Sequence, residues 1–166
     1  GYHDLAELME MAARLKTLDI KLLVDFHYSD TWADPGKQIK PEAWKDLDFD
    51  QLKQAVYDHT FEVCNSLVQQ GTPPDMVQVG NEINSGMLWP DGDYNHFDNL
   101  ADLLKEGVRA VKDCSSETVV MLHIAEGGDN SLARWWFDNI TRRNVPFDVI
   151  GISYYPYWHG SLPELQ

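Results

Sequence analysis

Apolar positions along this chain follow two rhythms, one helical and one continuous. Asp4 and Glu7 stand at capping-box spacing, with Asp in the Ser/Thr place, and Leu5, Leu8, Met9, Ala12 and Leu15 follow on one helical face. The spacing predicts a helix that ends near residues 17–19, and Ile20 to Phe26 then reads as a strand. A polar, aromatic loop from His27 to Gly36 closes on Pro35-Gly36, a turn signal, and Pro41 to Trp44 reads as a short helical turn. Asp50 is the expected cap of a second long helix, with Leu52, Val56, Val63, Cys64, Leu67 and Val68 facing in. Gly71 stops that helix and Pro73-Pro74 prevents its resuming. Met76 to Val79 is apolar with one Gln, as a strand buried on both faces is, and Gly80 permits close backbone approach. The loop from Ser85 to Asn95 is rich in Gly, Asp and Pro. A third helix carries Phe97, Leu100, Leu104, Val108 and Val111 on one side. Residues 118–124 form the next expected strand, Asn130 caps a helix containing Trp135, Trp136 and Ile140, and residues 147–155 form a last strand.

Helices and strands therefore alternate, which implies right-handed βαβ units and a parallel α/β sheet. Such strands fit either a doubly wound sheet or part of an eight-stranded barrel. No glycine-rich phosphate fingerprint follows any strand, which argues against nucleotide binding. What repeats is a polar or aromatic group where each strand runs out: His27 to Asp30, Asn81-Glu82, His123 to Glu126, and Tyr154-Tyr155. The opposite turns are plain. One decorated end is the pattern of a barrel active face.

Composition narrows the partners. With 166 residues, 43% of them hydrophobic, the chain is globular and long enough for one core. A formal net charge of −14 argues against nucleic acid and leaves neutral or cationic ligands open. No apolar run reaches transmembrane length, so no membrane partner is expected. Cys64 and Cys114 fall in helical patterns and read as free thiols, with a disulfide between them left open. The chain opens on Gly1 rather than on Met or a signal peptide, as a processed protein or a fragment does.

Chemistry concentrates at the decorated end. A carboxyl group held against apolar walls keeps its proton near neutral pH, which a general acid needs, and Glu82 is placed for that role. Trp32, Trp44, Trp89 and Trp158, with Tyr28, Tyr155 and Tyr157, offer faces on which sugar rings pack. Two other readings compete. His27, Asp30, His123 and Glu126 are residue types that bind zinc in barrel hydrolases, although no His-x-His pair is present and no metal is expected. A glycan-binding protein without catalysis also fits a tryptophan-lined face.

The stretch Asp25-Phe26-His27-Tyr28-Ser29-Asp30-Thr31-Trp32-Ala33-Asp34-Pro35-Gly36-Lys37-Gln38, followed by Pro41-Glu42-Ala43-Trp44, resembles the endo-β-1,4-galactanases of glycoside hydrolase family 53. So do Gly80-Asn81-Glu82-Ile83, Gly127-Gly128-Asp129-Asn130 and the run from Asp148 to Gly160. These matches are ordered and span nearly the whole chain.

The resemblance implies a (β/α)8 TIM barrel that cleaves β-1,4-galactan, the side chain of type I arabinogalactan in pectin, with no cofactor. It gives Glu82 the acid/base role, Asn81 a hydrogen bond to the sugar 2-hydroxyl, and Tyr154 a place near the nucleophile. His27, Asp30, Trp32, Trp89, His123, Tyr155 and Trp158 would contact substrate. A retaining glycosidase needs a second carboxylate about 5–5.5 Å from the first. In the family it is a Glu ending the strand after the Tyr-Tyr-Pro strand, and this chain reaches Gln166 before it. Glu164 reads as a helix lead-in and is not assigned that role. On this alignment residues 1–166 hold strands three to six of eight, without strands one, two, seven and eight, and are inactive alone. Two open sheet edges would then favour self-association or dependence on further chain. The polymeric substrate implies an extracellular, periplasmic or cell-surface location.

Overall fold

A computed structural model describes residues 4–165. Asp4 caps α1 (Leu5–Thr17) by accepting a hydrogen bond from the Glu7 N–H at 3.0 Å, as the spacing predicts. Strand β1 (Leu23–Phe26) is shorter than expected. Residues just before it are tied sideways instead: the Leu22 N–H donates to the Asp75 carboxylate at 2.9 Å, and the Leu22 carbonyl accepts from Asp75 and Met76. A 3-10 turn covers Glu42–Trp44.

Helix α2 (Phe49–Gln70) is capped by Asp48 rather than Asp50. Asp48 accepts from the Gln51 N–H at 2.9 Å, and the Gln51 side chain accepts from the Asp48 N–H at 3.1 Å. A Gln three residues on completes the reciprocal box only from Asp48, while Asp50 pairs with Lys53 at 2.8 Å. Asp48→Ala is expected to cost about 1 kcal/mol in equilibrium denaturation. Asp50→Ala should leave the denaturation midpoint nearly in place, because exposed ion pairs contribute little.

Gly71 ends α2 in the left-handed region, at φ 81°, and β2 (Met76–Val79) matches the expected strand. The following loop contains a small hairpin, β3 (Gly86–Met87) with β4 (Gly92–Asp93). Helix α3 (Phe97–Cys114) buries the expected apolar side. After β5 (Val119–Ile124), α4 (Asn130–Arg142) is capped by Asp129 rather than Asn130, through the Leu132 N–H at 2.9 Å. Asp129 lies one residue outside the helix at φ −102°, ψ 82°, and its carboxylate reaches the first turn. Strand β6 (Val149–Ile152) stops before Tyr154 and Tyr155, which lead into the short α5 (Pro156–His159).

The main sheet has order β1-β2-β5-β6, all parallel. Its period-2 alternation divides the chemistry. Val24, Phe26, Val77, Val79, Val120, Leu122 and Ile124 form one apolar core with Leu52, Val56, Leu67, Leu104 and Val108 of the helices. Asp25, Gln78, Met121, His123 and Gly151 alternate onto the other face. A Cβ on Gly107 would lie 2.6 Å from Val79, which is how closely α3 seats on β2. Trp136 of α4 is 0% exposed, edge-on to Phe137 and Phe97 at centroid distances of 4.9 and 6.4 Å. Its indole N–H finds no hydrogen-bond partner among the described residues.

Among the described residues β1 and β6 each pair along one side only. A groove of about 910 Å³ runs beside β1 between Leu5, Leu8, Val24, Trp32 and Val63. Ile150 and Ile152 of β6 are exposed. Cys64 and Cys114 are free thiols, the first pushed up to about 12 and the second to about 11, chiefly by burial.

Candidate active site

The end of β2 turns sharply. Gly80 sits at φ 88°, and a Cβ there would lie 2.8 Å from Ile83. Glu82 follows at φ 48°, ψ 50°, a left-handed conformation that costs a residue with a Cβ roughly 1–2 kcal/mol. The chain then folds into a 3-10 turn at Ile83–Ser85. Asn81 is thereby turned inward and buried, while Glu82 is left half-buried at the rim.

Asn81 is held from several sides. Its Nδ2 donates to the Ala33 carbonyl at 2.8 Å, and its Oδ1 accepts from Gln78 Nε2 at 3.1 Å. His123 Nδ1 lies 3.0 Å from that same Oδ1 and 3.2 Å from the Glu82 N–H. His123 Nε2 meets the Ser153 hydroxyl at 3.0 Å. Gln78 also donates to Asp25 Oδ1 at 2.5 Å, and the second Asp25 oxygen accepts from His27 Nε2 at 3.1 Å. His27 Nδ1 accepts from the Ala33 N–H at 3.0 Å. His27, Asn81 and His123, predicted from the ends of β1, β2 and β5, thus share one polar network.

Burial lowers the His123 pKa from its ordinary value, and the Glu82 and Asp25 carboxylates oppose that shift only in part. His59, packed against Phe26 and Trp44, is lowered by burial as well. Depressed folded-state pKa values make the unfolded chain bind more protons, so stability present above the unfolded histidine pKa of about 6.5 is lost as pH falls. The denaturation midpoint is therefore expected to drop between neutral pH and pH values below that range. His59→Gln should reduce the drop.

The aromatic groups divide. Trp32 is 72% exposed and meets the His27 ring edge-on at 4.7 Å; Trp158 is 75% exposed beside Tyr157. Tyr155 is exposed and its N–H donates to His159. Tyr28, by contrast, is buried with its hydroxyl 2.7 Å from Thr60, and Trp44 packs half-buried against it. These two pack the loop against α2. Trp89 is half-buried, with its indole donating to the Ser85 carbonyl at 2.9 Å and its N–H to Gln38 at 2.7 Å. Asp30 is exposed, and one of its oxygens accepts from the Glu42 N–H at 2.7 Å, which anchors the 41–44 turn.

On the β6 side the Tyr154 hydroxyl donates to the Gly160 carbonyl at 2.6 Å. A Cβ on Gly128 would lie 1.8 Å from the His159 carbonyl oxygen, so only glycine lets the two loops close together. The four zinc-type residues do not converge: His27 and His123 spend both ring nitrogens on protein groups, Asp30 holds a turn, and Glu126 faces His159 at 3.7 Å. Among the described residues no three such side chains gather.

Sequence reasoning missed Gln78, Asp25, Ser153 and Asn84 as site residues. Asn84 exchanges two hydrogen bonds with the Ala125 backbone, at 2.6 and 3.1 Å, and so ties the two central loops. A lone Gln inside an apolar strand was the available signal for Gln78, since a buried amide needs partners.

The family profile described as glycosyl hydrolase family 53 matches residues 1–166. The chain is 43% identical to an arabinogalactan endo-beta-1,4-galactanase of Cellvibrio japonicus, covering 99% of this chain and 46% of that protein. It is 37% identical to arabinogalactan endo-beta-1,4-galactanase A of Emericella nidulans, covering 96% and 47%. Its structure superposes on the family 53 catalytic domain of Ignisphaera aggregans with a TM-score of 0.94 at 42% identity, over 98% of this chain and 45% of that one. The chain spans about half the length of the curated relatives it matches. Its parallel sheet and outer helices are part of a (β/α)8 barrel. With a barrel sheet decorated at one end, an Asn-Glu pair at that end and a profile match along its length, the chain belongs to glycosyl hydrolase family 53.

Proposed function

We propose that this chain is the central part of an endo-acting, retaining galactanase that cleaves β-1,4-galactosidic bonds in the galactan of type I arabinogalactan, a pectin side chain. The observation that carries this reading is Glu82, half-buried at the strand end beside Asn81 and His123, with the exposed Trp32 on the same face. Glu82 donates its proton to the glycosidic oxygen while a second carboxylate attacks the anomeric carbon. It then removes a proton from water as the glycosyl intermediate is released with retention. Asn81 offers its remaining amide N–H to the sugar 2-hydroxyl. His27, Asp30, Trp32, Trp89, His123, Tyr155 and Trp158 line the substrate path, with Tyr154 beside the nucleophile. We assign β1, β2, β5 and β6 as the third to sixth barrel strands, with the nucleophile on a strand outside residues 1–166, and place the working protein in an extracellular, periplasmic or cell-surface location.

Reducing-end release from β-1,4-galactan, measured for residues 1–166 and for the full-length protein side by side, tests this. Activity only in the full-length protein is expected. Activity in both would put the second carboxylate inside this stretch, and binding without turnover by the full-length protein would favour a glycan-binding role. The one-sided β1 and β6 supports self-association of the isolated stretch. A monodisperse monomer in sedimentation would remove that part of the proposal.

A further inference from the structure

A polar belt crosses the sheet beneath Glu82. Asp25 from β1, Gln78 from β2, Asn81 just beyond it, His123 from β5 and Ser153 just after β6 are linked end to end by four contacts of 2.5 to 3.1 Å. Gly151 stands opposite His123, and a Cβ there would lie 2.6 Å from the Met121 sulfur and 3.1 Å from the His123 ring, so a side chain at that position would crowd the belt.

The belt has a direction. The Asp25 carboxylate only accepts, so the end of Gln78 that faces it is the amide nitrogen. The second hydrogen on that nitrogen points to Asn81, whose facing atom is therefore the oxygen. The Ala33 carbonyl fixes the other end of Asn81 as the nitrogen. Against an oxygen at 3.0 Å, His123 Nδ1 carries the hydrogen in the tautomer that completes the belt, at the expense of the 3.2 Å bond from the Glu82 N–H, and Nε2 then accepts from the Ser153 hydroxyl. The opposite tautomer would take the longer contact from the Glu82 N–H, but it would set the Nδ1 and Asn81 Oδ1 lone pairs against each other.

We propose that Gln78, backed by Asp25, is a positioning residue: it orients the Asn81 amide and holds His123 in the Nδ1–H tautomer, setting the polarity of both groups beside Glu82. Its kinetic part rests on the galactanase reading; its tautomeric part does not. Gln78 touches no sugar in this scheme and acts through Asn81.

In the full-length protein labelled with ¹⁵N-histidine, His123 is expected to show a protonated Nδ1 and a bare Nε2. Gln78→Met, which keeps the volume and removes both donors, should move it toward the other tautomer. The same variant should lower kcat on galactan by about 10–100-fold with KM nearly unchanged, and should add no loss in an Asn81→Ala background. Asp25→Asn, at an exposed position, serves if Gln78→Met does not fold; it should give a mixture of the two His123 tautomers. A bare Nδ1 in the unaltered protein would overturn the proposal. So would a full additional loss in the Asn81→Ala background, or unchanged tautomer and kcat in the variants. The expected spectra in a protein that does not cleave galactan would overturn the galactanase reading and support the belt.

Discussion

Glu82→Gln in the full-length protein is expected to lower turnover on unactivated galactan by about 10²–10⁴-fold, the range a positioned general acid contributes. Glutamine keeps the size of the side chain and its tolerance of the site, and removes only the transferable proton. The backbone around it is fixed by Gly80, the Ile83–Ser85 turn and Asn81, so the variant should fold as the parent does. One signature separates a lost acid from general damage. A galactoside whose leaving group departs without protonation should lose far less in the first step. Near-normal hydrolysis of galactan by the variant would remove Glu82 from the mechanism. A loss equal for good and poor leaving groups would make it a structural carboxylate.

Trp136→Ala carries the largest expected stability change, about 3–5 kcal/mol, because it empties a fully buried site enclosed by Phe97 and Phe137. Trp136→Phe sharpens the test. Loss of the larger ring would usually create a costly void, but the indole N–H has no partner among the described residues. Leaving such a donor buried costs roughly 1–3 kcal/mol, and phenylalanine removes it. The two effects oppose, so Trp136→Phe should fall within about 1.5 kcal/mol of the parent in urea denaturation. A loss approaching that of the alanine variant would mean that the N–H is paired in solution, through a bound water for example.

The architecture was legible because helices with one apolar side and strands with continuous apolar runs alternate along the chain, and only a parallel α/β sheet absorbs that order. The helix caps were read less well. Asp48 and Asp50 are the same residue type two positions apart, and only the Gln at 51, three residues from the former, distinguishes them. Glu82, Asn81 and His123 were legible as polar groups where strands end. Tyr28 reads from the sequence as one of the open aromatics, yet it is buried in the loop packing; composition cannot say which face of a loop an aromatic turns. Gln78 was visible as an oddity, but its partner Asp25 lies 53 residues before it, Ser153 at the far end of the same network lies 75 after it, and only sheet register brings them together.

The neighbours Trp135 and Trp136 sit in unlike surroundings on one helix, the first 44% exposed and the second 0%. With Trp32 and Trp158 open on the decorated face, the molecule contains emitters in wet and dry surroundings at once. Its fluorescence should resolve into a red, acrylamide-quenched part from the open rings and a blue, quencher-resistant part from Trp136. Occupancy of the decorated face should dim or shift the first while leaving the second in place, whereas loosening of the helix layer should redden the second. One spectrum can therefore distinguish a ligand arriving at the rim from a core coming apart.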